Sequence, residues 1–342
     1  MNKTDINSEI THGNFGLERV LRNMVGELQG KYPGNIYYAC QSDRSFYADF
    51  YSTYYKKYED DSVSIHNTIQ AAVDAATQYR GDIVIVMPDK WQENVYVDNQ
   101  EGLKLFGVGN GYGIQWRSSD GATKLPFTPY GGTAVGGVCL AILSRDVEIA
   151  NMMFDPDGGH ACLYVGDGDL LTTGGGLTAI TNQNSASCKV HNCQFGAGGS
   201  SSYYGVVLEG CGDGFEVRDS LFEGLLYAGV YVGGYSSRSN QNPVILNNRF
   251  LAGASGYGVD VKNIAGGNIN TLIQENSFRD GKGRAFTYAV RSATTDGITS
   301  TIKNAFACAN KISMTAADFC SGDTFVSAGN APHFLQDSTD SA

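Results

Sequence analysis

The second half of the chain repeats one apolar pattern at a nearly constant interval. After a longer first interval, a phenylalanine recurs about every 28 residues, and the residue five places before it is usually Ile or Val. The phenylalanines are Phe154, Phe195, Phe222, Phe250, Phe278 and Phe306, and the earlier partners are Ile149, Val190, Val217, Ile245, Ile273 and Thr301. A period of roughly 20 to 50 residues is typical of repeat architectures, in which each unit packs against its neighbours. The pattern predicts a solenoid.

Each repeat also has a small polar residue before the phenylalanine and a short apolar strand after it. The polar residues are Asn151, Asn192, Asp219, Asn247, Asn276 and Asn304, and the strands are residues 163–165, 206–208, 230–232, 259–261 and 288–290. The apolar positions predict a dry interior, and the polar residues predict a corner at which stacked amides hydrogen-bond along the axis. With a rise of about 4.8 Å per rung, some eight or nine coils would form a column roughly 40 Å long.

The N-terminal part of the chain follows a helical period instead. Apolar residues at helical spacing predict an amphipathic helix over residues 17–28, and aromatic residues recur every four positions over residues 46–58. This aromatic stripe fits a packing face, a carbohydrate-stacking surface or a surface for attachment to a subunit or capsid. A further helix is predicted over residues 65–79, with Ser62 or Ser64 as its N-cap.

The segment containing this helix resembles a known family. It reads TIQAAVDAATQYRGDIVIVMPDKWQENVYVDNQEGLKLFGVGNG, and is similar to the first coil of right-handed parallel β-helices of the pectin-lyase-like superfamily. Lys90 and Trp91 stand where that family usually has Gly-Tyr. The resemblance spans about residues 65–310 and implies an all-β solenoid, a right-handed single-stranded parallel β-helix capped by short N-terminal helices. It leaves the activity open, because the superfamily includes lyases, hydrolases, phage tailspikes and inert virion parts.

This interpretation divides the chain into three parts. They are an attachment segment with helices and aromatic residues over residues 1–62, the β-helix with its capping helix over 63–310, and a C-terminal cap and tail over 311–342. Loops are expected to leave the column at residues 118–137, 172–187 and 233–242.

Charge and hydropathy limit the kinds of partner and the cellular location that we expect for this protein. The formal net charge is −11, with 24 Lys and Arg against 35 Asp and Glu, and this argues against a nucleic-acid partner. Membrane insertion is not expected, because no apolar run is as long as a membrane span requires. The N-terminal sequence lacks the apolar stretch of a signal peptide. We therefore expect a protein made in a host cytoplasm without export.

Eight cysteines raise the question of a metal site or disulfides. The only cluster in the sequence whose spacing suggests metal ligands is Cys188, His191 and Cys193. The position of Cys188 is mostly apolar in the sister repeats, so a buried thiol is favoured, with metal ligation and a disulfide as alternatives. His191 is expected to face solvent or a neighbouring side chain. No cofactor and no metal are predicted.

A catalytic site is harder to find. The resemblance implies that a sugar-cleaving member would use two carboxylates, or a basic residue with calcium held by carboxylates, on neighbouring rungs. The weak candidates are Asp155, Asp157, Glu209, Asp213 and Glu223. At the position after the phenylalanine the rungs carry Asp155, Gly196, Glu223, Leu251, Arg279 and Ala307, which is not a row of acids. The catalytic residues, if there are any, stay unknown.

Three hypotheses follow. The first is a structural virion protein of a tailed bacteriophage, a capsid decoration, head fibre or tail-associated subunit. It would be a homotrimer that contacts other virion proteins and displays loops for adhesion to a surface glycan. The second is a polysaccharide-degrading enzyme, namely a tailspike-type depolymerase, a lyase or a glycoside hydrolase. The third is a non-catalytic glycan-binding adhesin.

Overall fold

The strands of this protein form three long parallel sheets and one short one. The structure is a computed structural model, and it describes residues 34–41, 63–87, 89–108, 115–117, 137–155, 161–166, 185–196, 202–234, 240–253, 256–264, 268–281, 283–293, 299–310, 312–314, 327–328 and 331–332. Strands are numbered in chain order. The predicted helix over residues 17–28, the aromatic stripe over 46–58, Asp157 and most of the predicted loops lie outside these residues.

The first sheet has eleven strands in the described part of the chain. In spatial order they are β2 (Val63–His66), β1 (Ile36–Ala39), β3 (Ile83–Val86), β6 (Lys104–Gly107), β9 (Glu148–Ala150), β12 (Lys189–His191), β16 (Glu216–Arg218), β20 (Val244–Leu246), β24 (Thr271–Gln274), β27 (Thr299–Ile302) and β30 (Ser327–Ala328).

The second sheet has nine described strands. They are β4 (Lys90–Gln92), β7 (Gln115–Arg117), β10 (Met153–Phe154), β13 (Gln194–Phe195), β17 (Leu221–Glu223), β21 (Arg249–Leu251), β25 (Ser277–Arg279), β28 (Ala305–Ala307) and β31 (Ala331–Pro332).

The third sheet has eight described strands, and a three-stranded sheet lies at its corner with the first. The eight are β5 (Val95–Val97), β8 (Val138–Ile142), β11 (Ala161–Gly166), β14 (Tyr204–Glu209), β18 (Ala228–Gly234), β22 (Tyr257–Ile264), β26 (Tyr288–Ala293) and β29 (Ile312–Met314). The corner strands are β15 (Gly212–Asp213), β19 (Asn240–Gln241) and β23 (Asn268–Ile269).

The order of these strands confirms the predicted parallel β-helix. From β3 onward the chain visits the first, second and third sheets in turn, and every pairing within the sheets is parallel. The chain therefore coils around one axis and stacks each strand on its counterpart in the previous coil.

The periodic phenylalanines lie in the second sheet and stack inside the column. Neighbouring ring centroids from Phe154 to Phe306 are 5.3, 4.7, 4.6, 4.7 and 5.2 Å apart, with nearly parallel planes. Toward the N-terminus, the strand register pairs Phe154 with Trp116 and Trp116 with Trp91. The partners five residues earlier are also in register, in the first sheet. Like residues thus bury one another in a continuous core.

The polar corner between the first and second sheets consists of two rows, where the sequence pattern suggested one. Three residues before the phenylalanine, the backbone is left-handed, with φ between +52° and +59° at Asn151, Asn192, Asp219, Asn247, Glu275 and Lys303. Asn tolerates this conformation better than most residues. One residue later lies a buried row of Ser220, Asn248, Asn276 and Asn304. Asn276 and Asn304 therefore belong to the buried row, not to the turn row.

The helix that closes the first coil is shorter than predicted. Helix α1 spans Ile69–Ala75 and Thr68 is its N-cap. The predicted helix is therefore present, but its bounds of 65–79 and the Ser62 or Ser64 cap were wrong. Ile65 belongs to β2 instead, because that strand extends the first sheet. The Glu93 carboxylate accepts the N–H groups of Ile69 and Gln70 at 2.8 and 3.2 Å.

Two other side chains in the segment that resembles the family, Asp82 and Gln70, hold backbone groups of the first coil in place. Asp82 is buried and accepts the N–H groups of Asn35 and Thr77 and a bidentate pair of bonds from Arg80, all at 2.6 to 2.8 Å. The Gln70 amide bonds both the N–H and the C=O of Tyr96, at 2.9 and 3.0 Å. A side chain thereby pairs with the terminal strand β5, whose backbone groups would otherwise lack a neighbour.

The sheets also extend past the expected boundaries. Residues 36–39 form β1 of the first sheet, although the sequence pattern placed them in a separate segment over residues 1–62. After residue 310, β29, β30 and β31 continue the three sheets. No helix of the described chain is both long and apolar enough for a membrane span.

Candidate functional site on the third sheet

One row of outward-facing positions on the third sheet changes from apolar to charged along the column. Strand register aligns Tyr164, Val207, Tyr231, Asp260 and Arg291 in five successive rungs. The first three belong to a second apolar cluster, separate from the interior core and fully buried. The charged residues therefore lie at the margin of a covered, tyrosine-rich surface.

Asp260 and Arg291 form the centre of this site. Arg291 Nε and Nη2 donate to the two carboxylate oxygens of Asp260 at 2.7 and 2.5 Å. Arg291 Nη1 donates to the Tyr257 hydroxyl at 2.5 Å, and the guanidinium carbon lies 3.6 Å from the Tyr257 ring centroid. The Asp260 side chain is 5% exposed and that of Arg291 is 22% exposed. A bidentate pair in this setting is geometrically specific, and the loss of either partner would leave a largely buried charge.

Tyr231 and Glu209 extend the site by one and two rungs. Burial raises the pKa of Tyr231, and the Glu209 and Asp260 carboxylates and the Tyr204 hydroxyl raise it further. Tyr231 is therefore held as a neutral phenol. Lys262 lies beyond Asp260 on the same strand, and burial lowers its pKa. We call Glu209, Tyr231, Tyr257, Asp260, Lys262 and Arg291 the third-sheet cluster.

This cluster combines two acids, two cations and phenol groups on rungs about 4.8 Å apart. Such a set can hydrogen-bond hydroxyl and carboxylate groups and can stack on a sugar face. All three nitrogens of the Arg291 guanidinium, however, already donate hydrogen bonds to Asp260 and Tyr257. The polar groups of Arg291 and Asp260 are thus mostly bonded to each other and to Tyr257.

A smaller charged group lies on the outside of the first sheet. The Glu148 carboxylate contacts Lys104 Nζ at 3.4 Å and His191 Nε2 at 3.0 Å. The hydrogen bond with His191, together with Lys104, lowers the pKa of Glu148 to about 2, against the opposing effect of partial burial. His191 thus contacts a neighbouring side chain, as expected from its position in a strand.

The carboxylates singled out in the sequence are spread over different corners. Asp155 follows β10 and is buried, and Glu209 ends β14 and is fully buried. Asp213 is exposed in β15 and accepts a hydrogen bond from Asn242 at 2.6 Å, while Glu223 is half-buried at the end of β17. Of the four described candidates, only Glu209 belongs to the third-sheet cluster.

Sequence reasoning missed Asp260, Arg291 and Tyr231. Tyr231 and Asp260 are middle residues of apolar–X–apolar strands, whereas Arg291 lies between Val290 and Ser292 and lacks that signal. The strand over residues 288–290 was aligned with 259–261, whereas the structure pairs Val259 with Val290. This two-residue offset hid the alignment of Asp260 with Arg291.

Cys188, Cys193 and His191 do not come together as metal ligands. Cys188 and Cys193 are buried in the core, with pKa values raised by burial to about 12, whereas His191 points outward. Throughout the described chain, no group of three His, Cys, Asp or Glu side chains is arranged to hold a metal ion. The seven described cysteines are buried and reduced.

The fold, rather than the sequence, links this chain to known proteins. The sequence matches no protein-family model and no curated protein. The pectin methylesterase of Aspergillus niger is similar in structure, with a TM-score of 0.50 at 11% identity, over 90% of this chain and 88% of that chain. This likeness defines the class as a parallel β-helix with the pectin-lyase-like fold.

Two other solved structures are similar to a lesser degree. The rice weevil pectin methyl esterase has a TM-score of 0.45 at 13% identity, over 89% of this chain and 99% of that chain. Tailspike protein 2 of an Escherichia coli O157:H7 bacteriophage has a TM-score of 0.37 at 11% identity, over 73% of this chain and 39% of that chain. At these identities the likeness concerns the fold, and the activities named belong to those proteins.

Proposed function

We propose that this chain is a structural β-helical subunit of a tailed-bacteriophage particle, as a capsid decoration, head fibre or tail-associated protein. The column would act as a stiff spacer that contacts other virion proteins and assembles as a homotrimer. Its core supports this role, because stacked phenylalanines and in-register ladders run from coil to coil. Such a stack resists bending, since each rung is packed on both sides.

The observation that carries the proposal is the separation of the acidic side chains. A glycosidase needs two carboxyl groups about 5 to 9.5 Å apart across an open site. Here Asp155 and Glu209 are buried at different corners. Asp260 shares the third-sheet cluster with Glu209, but it lies two rungs away and Arg291 engages its carboxylate. Glu148 is likewise engaged by Lys104 and His191. The Asp260–Arg291 pair and the Glu148 pairs thus neutralise these carboxylates, which suits a role in stability.

The cysteines support assembly in a reducing compartment. All seven described cysteines are buried and reduced, so no disulfide joins the described rungs. Cytosolic production followed by incorporation into a particle fits this chemistry.

Purified particles test the proposal. Particles of a phage that carries this gene would be banded on a density gradient, dissociated and analysed by mass spectrometry, and imaged with an antibody against the chain. We expect the chain in the particle band at a fixed copy number and a trimeric mass for the isolated protein. If the chain stays in the soluble fraction and is missing from particles, the structural proposal is wrong.

A polysaccharide-active enzyme is the second candidate, and the third-sheet cluster is the observation that favours it. Arg291, Asp260 and Tyr257 are a combination that could orient a sugar carboxylate or hydroxyl. The test is a reducing-end and unsaturated-product assay on host surface polysaccharides, with Asp260→Asn against Asp213→Asn as the matched exposed control. Turnover that is lost only in Asp260→Asn would support the enzyme, and no turnover by the wild type would favour the structural subunit.

A further inference from the structure

Two exposed arginines on the outer surface of the second sheet have no ion-pair partner in the described structure. They are Arg249 in β21 and Arg279 in β25. Four other described arginines pair with acids, namely Arg80, Arg145, Arg218 and Arg291. Arg249 and Arg279 are thus two neighbouring cations in a chain whose net charge is −11.

The register brings these arginines together around one hydroxyl group. Arg249 is directly in register with Ser277 on the next rung, and Arg279 follows two residues later on the same strand. Both positions face outward and Ser277 is exposed. A rung spacing of about 4.8 Å and a two-residue step of about 6.6 Å place the two arginine Cα atoms roughly 8 Å apart. Two guanidinium groups can therefore reach one small ligand beside Ser277.

The surroundings leave this position open to an anion. Asp280 is the acid nearest in sequence, but its carboxylate oxygens accept the N–H groups of Phe286 and Ala309 at 3.0 and 2.9 Å. Glu223 is half-buried and lies two rungs before Arg279 in the same row, and one rung before Arg249 at a two-residue offset, but it forms no ion pair with either arginine in the described structure. On the following rung, Ala305 is in register with Ser277 and Ala307 with Arg279. These short side chains form a shelf on which a ligand can rest against the arginines.

We propose that Arg249, Ser277 and Arg279 form a binding site for a phosphate group carried on a polysaccharide. The planar guanidinium fork matches two oxygens of a phosphate, and a serine hydroxyl supplies a third donor. The overall negative charge disfavours a long nucleic acid, which would bring many phosphates close to the acidic chain. The site is on a different sheet from the third-sheet cluster, and its existence does not depend on the proposed virion role.

Three forms of one polymer provide the test. Binding of the full chain to phosphorylated dextran, carboxymethyl dextran and unmodified dextran is measured by biolayer interferometry at low and high salt, with a DNA oligonucleotide as a further arm. We expect binding to phosphorylated dextran that weakens with salt, and weaker or no binding in the other arms. Tighter binding to carboxymethyl dextran or to DNA would overturn the assignment, as would the absence of binding to phosphorylated dextran.

Variants separate a specific site from overall charge. Arg249→Gln with Arg279→Gln should weaken binding by about tenfold or more. Arg145→Gln with Lys189→Gln removes the same charge from other exposed positions and should leave affinity within a factor of about two. Equal losses in the two double variants would show non-specific attraction. Arg249→Lys with Arg279→Lys keeps the charge but removes the forks, and full retention of binding there would contradict the proposed geometry.

All these positions are exposed, so each variant should unfold at the wild-type temperature. A variant that unfolds at a lower temperature would be replaced by the corresponding single substitution, which perturbs fewer contacts.

Discussion

The buried asparagine row between the first and second sheets should contribute strongly to stability, and Asn276→Ala tests it. Asn276 Oδ1 accepts the Asn248 N–H at 2.8 Å and Asn248 Nδ2 at 3.1 Å. Asn276 Nδ2 donates to the Ile245 C=O at 2.8 Å and to Asn304 Oδ1 at 3.1 Å. The side chain is 1% exposed, so water cannot replace these partners.

The expected cost follows from these four hydrogen bonds. At roughly 1 kcal/mol net each, alanine at this position should lower the free energy of unfolding by about 4 kcal/mol. Asn247→Ala is the matched control one rung earlier. It removes one exposed bond, from Asn247 Nδ2 to Asp219 at 2.7 Å, and places alanine at φ +52°. That change should cost about 1 to 2 kcal/mol.

Denaturant unfolding followed by circular dichroism measures both variants, and amide hydrogen exchange locates the effect. The Asn248 amide should lose protection in Asn276→Ala and keep it in Asn247→Ala, because only the former removes its acceptor. If Asn276→Ala costs no more than Asn247→Ala, the reasoning about the buried row is refuted.

Three further predictions concern packing, charge and thiols. Gly229→Ala should lower the free energy of unfolding by about 1 to 3 kcal/mol, because the added Cβ would lie 2.6 Å from the Phe250 ring and overpack the core. Gly281→Ala is the control: its Cβ would meet nothing closer than 3.8 Å, so it should be nearly neutral in the same denaturation assay. The pKa of Glu148 is lowered from 4.5 to about 2, so the stability that its ion pairs contribute should be complete above pH 4.5 and lost as the pH falls toward 2. Glu148→Gln should flatten that part of the curve of stability against pH. An unchanged curve would contradict the assignment. Cys188, with a pKa raised to about 12, should resist iodoacetamide at pH 8 in the folded protein and react after denaturation, as mass spectrometry would show.

The column was predictable because its packing is local and repetitive. Phe222, Phe250 and Phe278 each rest on the counterpart one coil away, so the same requirement returns with each coil and leaves a period in the sequence. The register of Trp91 and Trp116 with Phe154 was not recognised, since these residues are separated by connections of unequal length. When the intervals between equivalent residues are unequal, only the strand register of the structure shows that they are equivalent.

The same limit explains the candidate site. Val259 and Val290 are paired in register, but the chain from Phe278 to Val290 is longer than the chain from Phe250 to Val259. The extra residues are taken up where Gly281 and Arg284 bond to each other in a tight turn. If the spacing of the preceding coil is applied without that turn, Arg291 falls in a different row from Asp260.

The sequence by itself determined the solenoid, its axis and its interior, because inward positions must be apolar in every coil. The tertiary structure decided which outward side chains meet. Asp260 and Arg291 are neighbours only through register, and register there depends on how the turn after Phe278 absorbs its extra residues. Arg249 and Ser277 follow the 28-residue period, but the tertiary structure decides which charged side chains form ion pairs. Outward positions face no common packing requirement, and so their composition leaves no period to read.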